Sequence, residues 1–165
     1  MNKLYSRGFT LIELMIVVVI LGILAAFAYS NYSRSIVESR RSDAQIGLTQ
    51  LAAQEEKFFT QCNFYTASID SGALIANGVD LDCSGLGLTT SGTAGTIFSP
   101  NQFYTLTVAT AGGAKPQSYT ATAAAVATKS QATDGAFNIS NTGLKQWDKN
   151  NNGVFTDPGE NSWRK

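Results

Sequence analysis

An uncharged apolar run near the start of the chain is the most regular feature of its hydrophobic pattern. The run extends from Phe9 to Tyr29, and Glu13 is its only charged residue. As an α-helix this stretch would be about 30 Å long, which is the thickness of the hydrocarbon layer of a bilayer. The pattern therefore predicts a membrane-spanning helix over residues 9–29.

Beyond Tyr29 the pattern becomes amphipathic and meets no strong helix breaker before Thr60. Its apolar and charged positions are interleaved as in a helix with one buried face: Tyr32, Ile36, Ile46, Leu48, Leu51, Phe58 and Phe59 against Arg34, Glu38, Arg40, Arg41, Asp43, Glu55 and Glu56. We therefore predict one helix from Phe9 to Thr60. It would be about 80 Å long, more than a bilayer needs, so its second half is expected to pack on a folded head.

Three runs rich in β-branched and aromatic residues follow: Phe103–Val108, Tyr119–Thr128 and Ala136–Trp147. Gly112-Gly113 and Asp134-Gly135 mark turns between them, and the Gly, Ser and Thr content of residues 84–100 predicts a surface loop. The third run is either one strand or two strands joined at Asn141-Thr142-Gly143. We expect an α+β fold in which an antiparallel sheet of three to four strands packs on the long helix.

The composition restricts the chemistry of the chain. It has no histidine, which removes the commonest general base, and no Gly-x-Ser-x-Gly or phosphate-loop motif. We therefore expect that it is not an enzyme. Twelve basic and twelve acidic residues cancel, and Arg40, Arg41 and Lys129 form no basic run with interleaved aromatics, so binding to nucleic acid is expected to be weak or absent.

The few charges before the apolar run predict its orientation. Lys3 and Arg7 hold the N-terminus in the cytoplasm by the positive-inside rule, so the chain after Tyr29 lies outside the cytoplasm. Two cysteines, Cys62 and Cys83, are expected to form a disulfide in that oxidising compartment, worth about 3 kcal/mol by loop closure. A metal or redox role would need further ligands or a Cys-x-x-Cys spacing.

A secretory signal peptide is the alternative interpretation of the N-terminus. Small residues around Ala26 in ILAAFAYS offer a possible cleavage site. The apolar part of such signals is about 7–15 residues long, shorter than this run.

The stretch Gly8-Phe9-Thr10-Leu11-Ile12-Glu13 resembles the processing site of type IV pilins and of the pseudopilins of type II secretion. The resemblance implies that a prepilin peptidase cuts between Gly8 and Phe9, removes a leader of residues 1–8 and N-methylates Phe9. Residues 9–29 then remain as the transmembrane and assembly segment, and residues 30–165 form a periplasmic head. Many pilins carry a proline where this chain has Ser30, so the bend of the helix is left open.

Glu13 is the unusual residue of the apolar run. A charge at the centre of a membrane helix costs roughly 2.5–3.5 kcal/mol, and less near its end. The resemblance implies a partner, the amino terminus of Phe9 in a neighbouring subunit, so that Glu13 sets the register of assembly. The alternative is that its carboxylate reaches the lipid headgroups alone.

The resemblance implies a structural subunit of a type IV pilus, a minor pilin, that supports adhesion, twitching motility or DNA uptake. Its partners would be other pilin subunits, the prepilin peptidase, the inner membrane and the assembly platform, and it would pass from the inner membrane into an extracellular pilus. The alternatives are a pseudopilin of a type II secretion system and a membrane-tethered DNA-binding module.

The C-terminal stretch DKNNNGVFTDPGE begins like an EF-hand calcium loop, with side-chain oxygens on alternate residues before a glycine. The twelfth position is Gly159 instead of glutamate, so the alternative is a plain turn. No cofactor is required; if calcium binds, the ligands would be Asp148, Asn150, Asn152, the carbonyl of Val154, Asp157 and Glu160. Trp147 and Trp163 flank the loop and are expected to anchor it to the sheet.

Overall fold

One long helix and a five-stranded sheet make up the regular structure in the computed structural model, which describes residues 9–69, 83, 85–88 and 95–164. The helix α1 is Leu11–Cys62. The strands are β1 Ile97–Phe98, β2 Tyr104–Ala111, β3 Ser118–Ala125, β4 Phe137–Ser140 and β5 Lys145–Trp147. The predicted α+β class is confirmed.

The helix α1 is continuous over 52 residues and passes through position 30 without a break. The predicted bounds, Phe9 and Thr60, differ from the observed ones by two residues at each end. Asn63 ends the helix because it adopts a left-handed φ of 61°, and its N–H donates to the carbonyl of Phe59 at 2.8 Å. Asparagine tolerates this conformation better than most residues.

The chain divides into two compact units, one up to Glu38 and one from Ser39 onward. In the first unit, every residue of α1 from Leu11 to Tyr29 is exposed. The second unit, called the head below, contains the rest of α1 and the whole sheet. The predicted boundary between a membrane segment and a head at residue 30 concerns the bilayer and stays a prediction.

The sheet is an antiparallel meander in the order β1-β2-β3-β4-β5. The third predicted run does divide into two strands, β4 and β5, around the turn at Gly143. The sheet nevertheless has one strand more than the upper prediction of four. The additional strand is β1, which pairs Ile97 with Leu106 inside the predicted surface loop. It has only two residues, too few to show an alternating pattern in the sequence.

The core of the head lies between α1 and one face of the sheet. Ala44, Leu48 and Leu51 of the helix are buried in one cluster with alternate residues of β2, namely Tyr104, Leu106 and Val108. The helix approaches β2 closely, since a Cβ on Gly47 would come within 2.9 Å of Leu106 Cδ1. Alternate residues of β2 therefore face the core, and those between them are partly or fully exposed.

One acid of α1 lies inside this core. The Glu55 side chain has no exposed surface; its Oε2 accepts from the N–H of Thr66 at 3.3 Å, and its Oε1 has no partner among the described residues. Burial raises the pKa of Glu55 from 4.5 to about 7, against the opposing effect of the Thr66 N–H. The folded head therefore binds this proton more tightly than the unfolded chain does.

Removing the Glu55 charge should change how stability depends on pH. The unfolded carboxyl loses its proton near pH 4.5 and the folded one near pH 7, so the native chain loses stability across that interval, by at most about 3 kcal/mol. We expect Glu55→Gln, which keeps an acceptor for Thr66, to melt higher than the native chain at about pH 8 and similarly at about pH 4. Thermal melting of the full chain in detergent micelles measures both.

The matched control is Glu56→Gln, since Glu56 is the next residue along the helix and is exposed. It should keep the shape of the native pH profile with a somewhat smaller loss of stability, because the Glu56 charge contributes to the raised pKa of Glu55. If Glu55→Gln also followed that profile, Glu55 would not be titrating in this range.

Candidate functional site

The predicted processing and assembly residues lie at the start of the described chain. Phe9 is the first of them and its side chain is 80% exposed. Gly8 and the rest of the predicted leader lie outside the described residues, so cleavage and methylation stay predictions. The helix α1 is long and apolar enough to cross a membrane.

Thr10 and Glu13 form a helix cap that the sequence analysis missed. The backbone N–H of Glu13 donates to Thr10 Oγ1 at 3.3 Å, and α1 begins at the residue after Thr10. A threonine followed three residues later by glutamate is the capping-box pattern, so this signal was present in the sequence. Glu13 also places negative charge in the first turn, where the helix dipole favours it. Its carboxylate is exposed and thus available to a partner.

The predicted disulfide is present between Cys62, the last residue of α1, and Cys83. It closes a segment whose residues 70–82 lie outside the described part of the chain. Cys62 is also adjacent to the helix cap at Asn63. The bond therefore fixes the return of the chain to the end of α1.

The C-terminal loop holds most of the predicted calcium ligands in one hydrogen-bonded group. Both carboxylate oxygens of Asp148 accept backbone N–H groups, from Asn152 at 3.0 Å and Gly153 at 2.8 Å. The side-chain amides of Asn150 and Asn152 both donate to Asp157 Oδ2 at 2.8 Å. Since an amide can be turned to present its oxygen instead, both could also face a cation.

The remaining two predicted ligands contribute differently. Val154 uses its N–H to contact Asn152 Oδ1 at 2.8 Å. Glu160 Oε1 accepts from the N–H of Lys149 at 2.9 Å, and its buried Oε2 has no partner among the described residues. The described residues contain no group of three acidic, histidine or cysteine side chains arranged to hold a metal ion. Calcium binding therefore stays a prediction.

The two tryptophans anchor the C-terminal segment, as the sequence analysis expected. Trp147 is buried and stacks on Phe137 with 5.6 Å between ring centroids. Trp163 Nε1 donates to the carbonyl of Asn138 at 2.9 Å. The loop between them is therefore attached to β4 and β5 at both ends.

Most of the described acidic side chains of the head are buried or partly buried. Asp43, on α1, accepts from the hydroxyl of Ser99 and from the N–H and amide of Asn101, the latter two at 2.9 Å. Of the seven described acids in the head, four are buried and two are partly buried, which leaves Glu56 as the exposed one. The four buried acids are Asp43, Glu55, Asp148 and Glu160.

Asp134 has the most hydrogen bonds of these acids. Its carboxylate accepts from Arg41 at 2.7 and 2.8 Å, from the Tyr104 hydroxyl at 2.8 Å and from the Gln131 amide at 2.7 Å. Burial alone would raise the pKa of Asp134, but these donors outweigh it and hold the pKa below its usual range. The Tyr104 hydroxyl has its pKa raised by burial and by the neighbouring carboxylate.

Basic side chains of the head show the opposite distribution. Six of the eight described in the head are exposed: Lys57, Lys115, Lys129, Lys145, Lys149 and Arg164. The other two are Arg40, whose guanidinium lies 4.7 Å from the ring centroid of Phe103, and Arg41, which is paired with Asp134. The described surface of the head is therefore basic, although the whole sequence carries no net charge. The net charge of the sequence does not indicate this asymmetry, because it counts buried and exposed groups alike.

Comparison with known proteins gives short matches to individual relatives and a broad match to a family model over the middle of the chain. The major type IV pilin PilA of Myxococcus xanthus is 46% identical over 61 residues, 37% of this chain and 28% of that protein. The fimbrial protein EcpC of Eikenella corrodens is 52% identical over 44 residues, and the major fimbrial protein FimA of Dichelobacter nodosus 56% over 41. These matches span between 26% and 29% of the relatives' own lengths.

Two family models match this chain. The prokaryotic N-terminal methylation motif covers residues 3–29. A model described as type IV minor pilin ComP, DNA uptake sequence receptor, covers residues 30–137, which is more than half of the chain. Together with the α+β fold and the apolar N-terminal helix, these matches show that the chain belongs to the type IV minor pilins.

Proposed function

We propose that this chain is a type IV pilus subunit that polymerises through its N-terminal helix and binds DNA with its head during DNA uptake. The observation that carries the second part is the burial of acids and the exposure of bases among the described residues of the head. The family model that matches residues 30–137 is described as type IV minor pilin ComP, DNA uptake sequence receptor. This proposal replaces the expectation of weak or absent nucleic-acid binding.

The assembly mechanism rests on the exposed apolar half of α1. The side chains from Leu11 to Tyr29 are exposed in the described part of the chain, and a bilayer or neighbouring helices would cover them. Among such neighbours the carboxylate of Glu13 lacks water, and the amino terminus that peptidase cleavage creates at Phe9 of an adjacent subunit would neutralise it. A misaligned helix would leave both charges unpaired, so the pair selects one register.

The DNA-binding mechanism is electrostatic in the first instance. Cationic side chains displace counterions from the phosphate backbone, and this displacement supplies most of the affinity of non-specific complexes. The exposed lysines and Arg164 are the cations available for this displacement. The single exposed acid described in the head, Glu56, already accepts from the Tyr65 hydroxyl at 3.1 Å. The described acids of the head would therefore repel a polyanion only weakly.

The proposed path of the protein from the inner membrane into the pilus involves processing before assembly. The prepilin peptidase removes residues 1–8 and methylates Phe9 while α1 holds the chain in the inner membrane with the head in the periplasm. The assembly platform then moves the subunit into a pilus outside the cell. The chain performs no catalysis in this scheme. Its family favours a pilus over a type II secretion pseudopilus, and adhesion or twitching motility would be roles of the whole filament.

We also propose that the C-terminal loop binds calcium. The support is the convergence of Asn150, Asn152 and Asp157 beside Asp148, which offers carboxylate and amide oxygens of the kind calcium prefers. Bound calcium would hold these side chains together and stabilise the C-terminal segment.

The charge of Glu13 should be required for assembly and dispensable for membrane insertion. Glu13→Gln keeps the capping-box geometry, since glutamine is equally accepted at that position, and removes only the charge. We expect normal amounts of the variant in the inner membrane and at least about a tenfold loss from sheared pili, because the Phe9 amine is left unpaired. Quantitative immunoblots of membranes and sheared pili measure both amounts.

The control is Thr10→Val, which weakens the helix cap and keeps the Glu13 charge. It should lower incorporation less than Glu13→Gln does. Equal incorporation of Glu13→Gln and the native chain would contradict a role for the charge.

Mass spectrometry of the native chain should show loss of residues 1–8 and a methyl group on Phe9, and cleavage near Ala26 would contradict processing as a pilin.

Calcium should raise the melting temperature of the native chain if the C-terminal loop binds it, since a ligand of the native state stabilises that state. We expect a higher midpoint with calcium than with chelator, and no difference for Asp157→Asn, which keeps the shape of the side chain. Equal midpoints for the native chain over a wide range of calcium concentration would show that the loop is a plain turn.

A further inference from the structure

A groove at the edge of the sheet has no acidic side chain among the described residues that line it. It consists of two adjoining depressions that share Gln45, Lys145 and Trp163. One is also lined by Ile46 and Thr49 of α1, and the other by Leu144, Ser162 and Arg164. We call it the C-terminal groove. We infer that the C-terminal groove is the surface on which the head binds duplex DNA; this inference rests on the proposed DNA-binding function.

The fold holds the side chain of Lys145 and the backbone of Arg164 in place. Lys145 is the first residue of the edge strand β5, and its Nζ lies 4.7 Å from the ring centroid of Trp163. Trp163 is fixed in turn by its hydrogen bond to the carbonyl of Asn138. The N–H of Arg164 donates to Ser162 Oγ at 3.0 Å, so the next residue of the segment is also held by a local hydrogen bond. A second lysine, Lys149, follows β5 at its other end.

The chemistry of the lining fits a nucleic acid better than a small anion. Two cations suit phosphate oxygens, which fix the position of a protein on a duplex. Amide and hydroxyl side chains, of which Gln45, Thr49 and Ser162 are examples, can donate hydrogen bonds to phosphate and sugar oxygens.

The groove belongs in large part to this chain's own C-terminus. The residues that match the minor pilin family end at 137, whereas Lys145, Ser162, Trp163 and Arg164 come later in the sequence. The cationic residues of the groove therefore lie outside the part of the chain that matches the minor pilin family.

Charge removal inside and outside the groove tests the inference. The full chain in detergent micelles is titrated against fluorescently labelled duplex DNA of mixed sequence. We expect the double variant Lys145→Gln with Arg164→Gln to weaken binding by at least about tenfold, because two phosphate contacts are lost. The matched control, Lys115→Gln with Lys129→Gln, removes the same charge elsewhere and should weaken binding less than about threefold.

A second pair of variants adds charge instead of removing it. Gln45→Glu puts a carboxylate into the groove at constant size, and should weaken binding by about tenfold through repulsion of phosphate. Gln54→Glu makes the same change on the same helix but lines a different depression, beside Leu88 and Pro100, and should leave binding nearly unchanged. Melting temperatures of all variants show whether each is folded.

The outcomes separate this inference from the proposed function. Failure of the native chain to bind DNA at low salt would overturn both. Binding by the native chain with equal losses in groove and control variants would overturn the groove and leave DNA binding intact. Groove variants that bind DNA normally but fail to enter sheared pili would show that the groove is a contact between subunits, which also overturns the inference.

Discussion

The head is held together by carboxylates that accept hydrogen bonds inside it, and its outer surface depends on this arrangement. Asp43 attaches α1 to the loop between β1 and β2, and Asp134 attaches Arg41 of α1 to the segment before β4. Asp148 closes the C-terminal loop on itself. A buried charge is tolerated only where hydrogen-bond donors surround it, and each of these three carboxylates has such donors.

The consequence of that arrangement is a surface that differs in charge from the sequence as a whole. Lysine and arginine side chains are long enough to keep their charges in water while their stems pack, so bases stay outside when acids go inside. The same helix that carries Asp43 and Glu55 inward also presents Gln45 and Thr49 to the groove. One amphipathic stretch thus supports the core and borders the proposed binding surface.

Much of the fold was accessible from the pattern of the sequence. The helix ends fell within two residues, and the turns at Gly112-Gly113 and Gly143 were marked by glycines that adopt positive φ. The strand β1 was missed because a two-residue strand exists only through its pairing with β2. The disulfide followed from the compartment, since two cysteines in an oxidising space have few other fates.

The candidate sites were accessible only in part. Glu13 and the processing site are local signals, whereas the basic surface is a property of burial and cannot be counted from composition. Arg40 and Arg41, which the sequence offered as candidate DNA contacts, are engaged with Phe103 and Asp134. The sequence alone does not indicate Lys145 and Arg164 as candidate DNA contacts, because only the folded chain brings them into one groove.

The salt dependence of DNA binding by the full native chain tests the central claim most directly. If exposed bases form the binding surface, the logarithm of the association constant should fall with the logarithm of salt concentration with a slope of about −2 or steeper, since each phosphate neutralised contributes about −0.9. No binding at low salt, or binding with a slope near zero, would contradict the account.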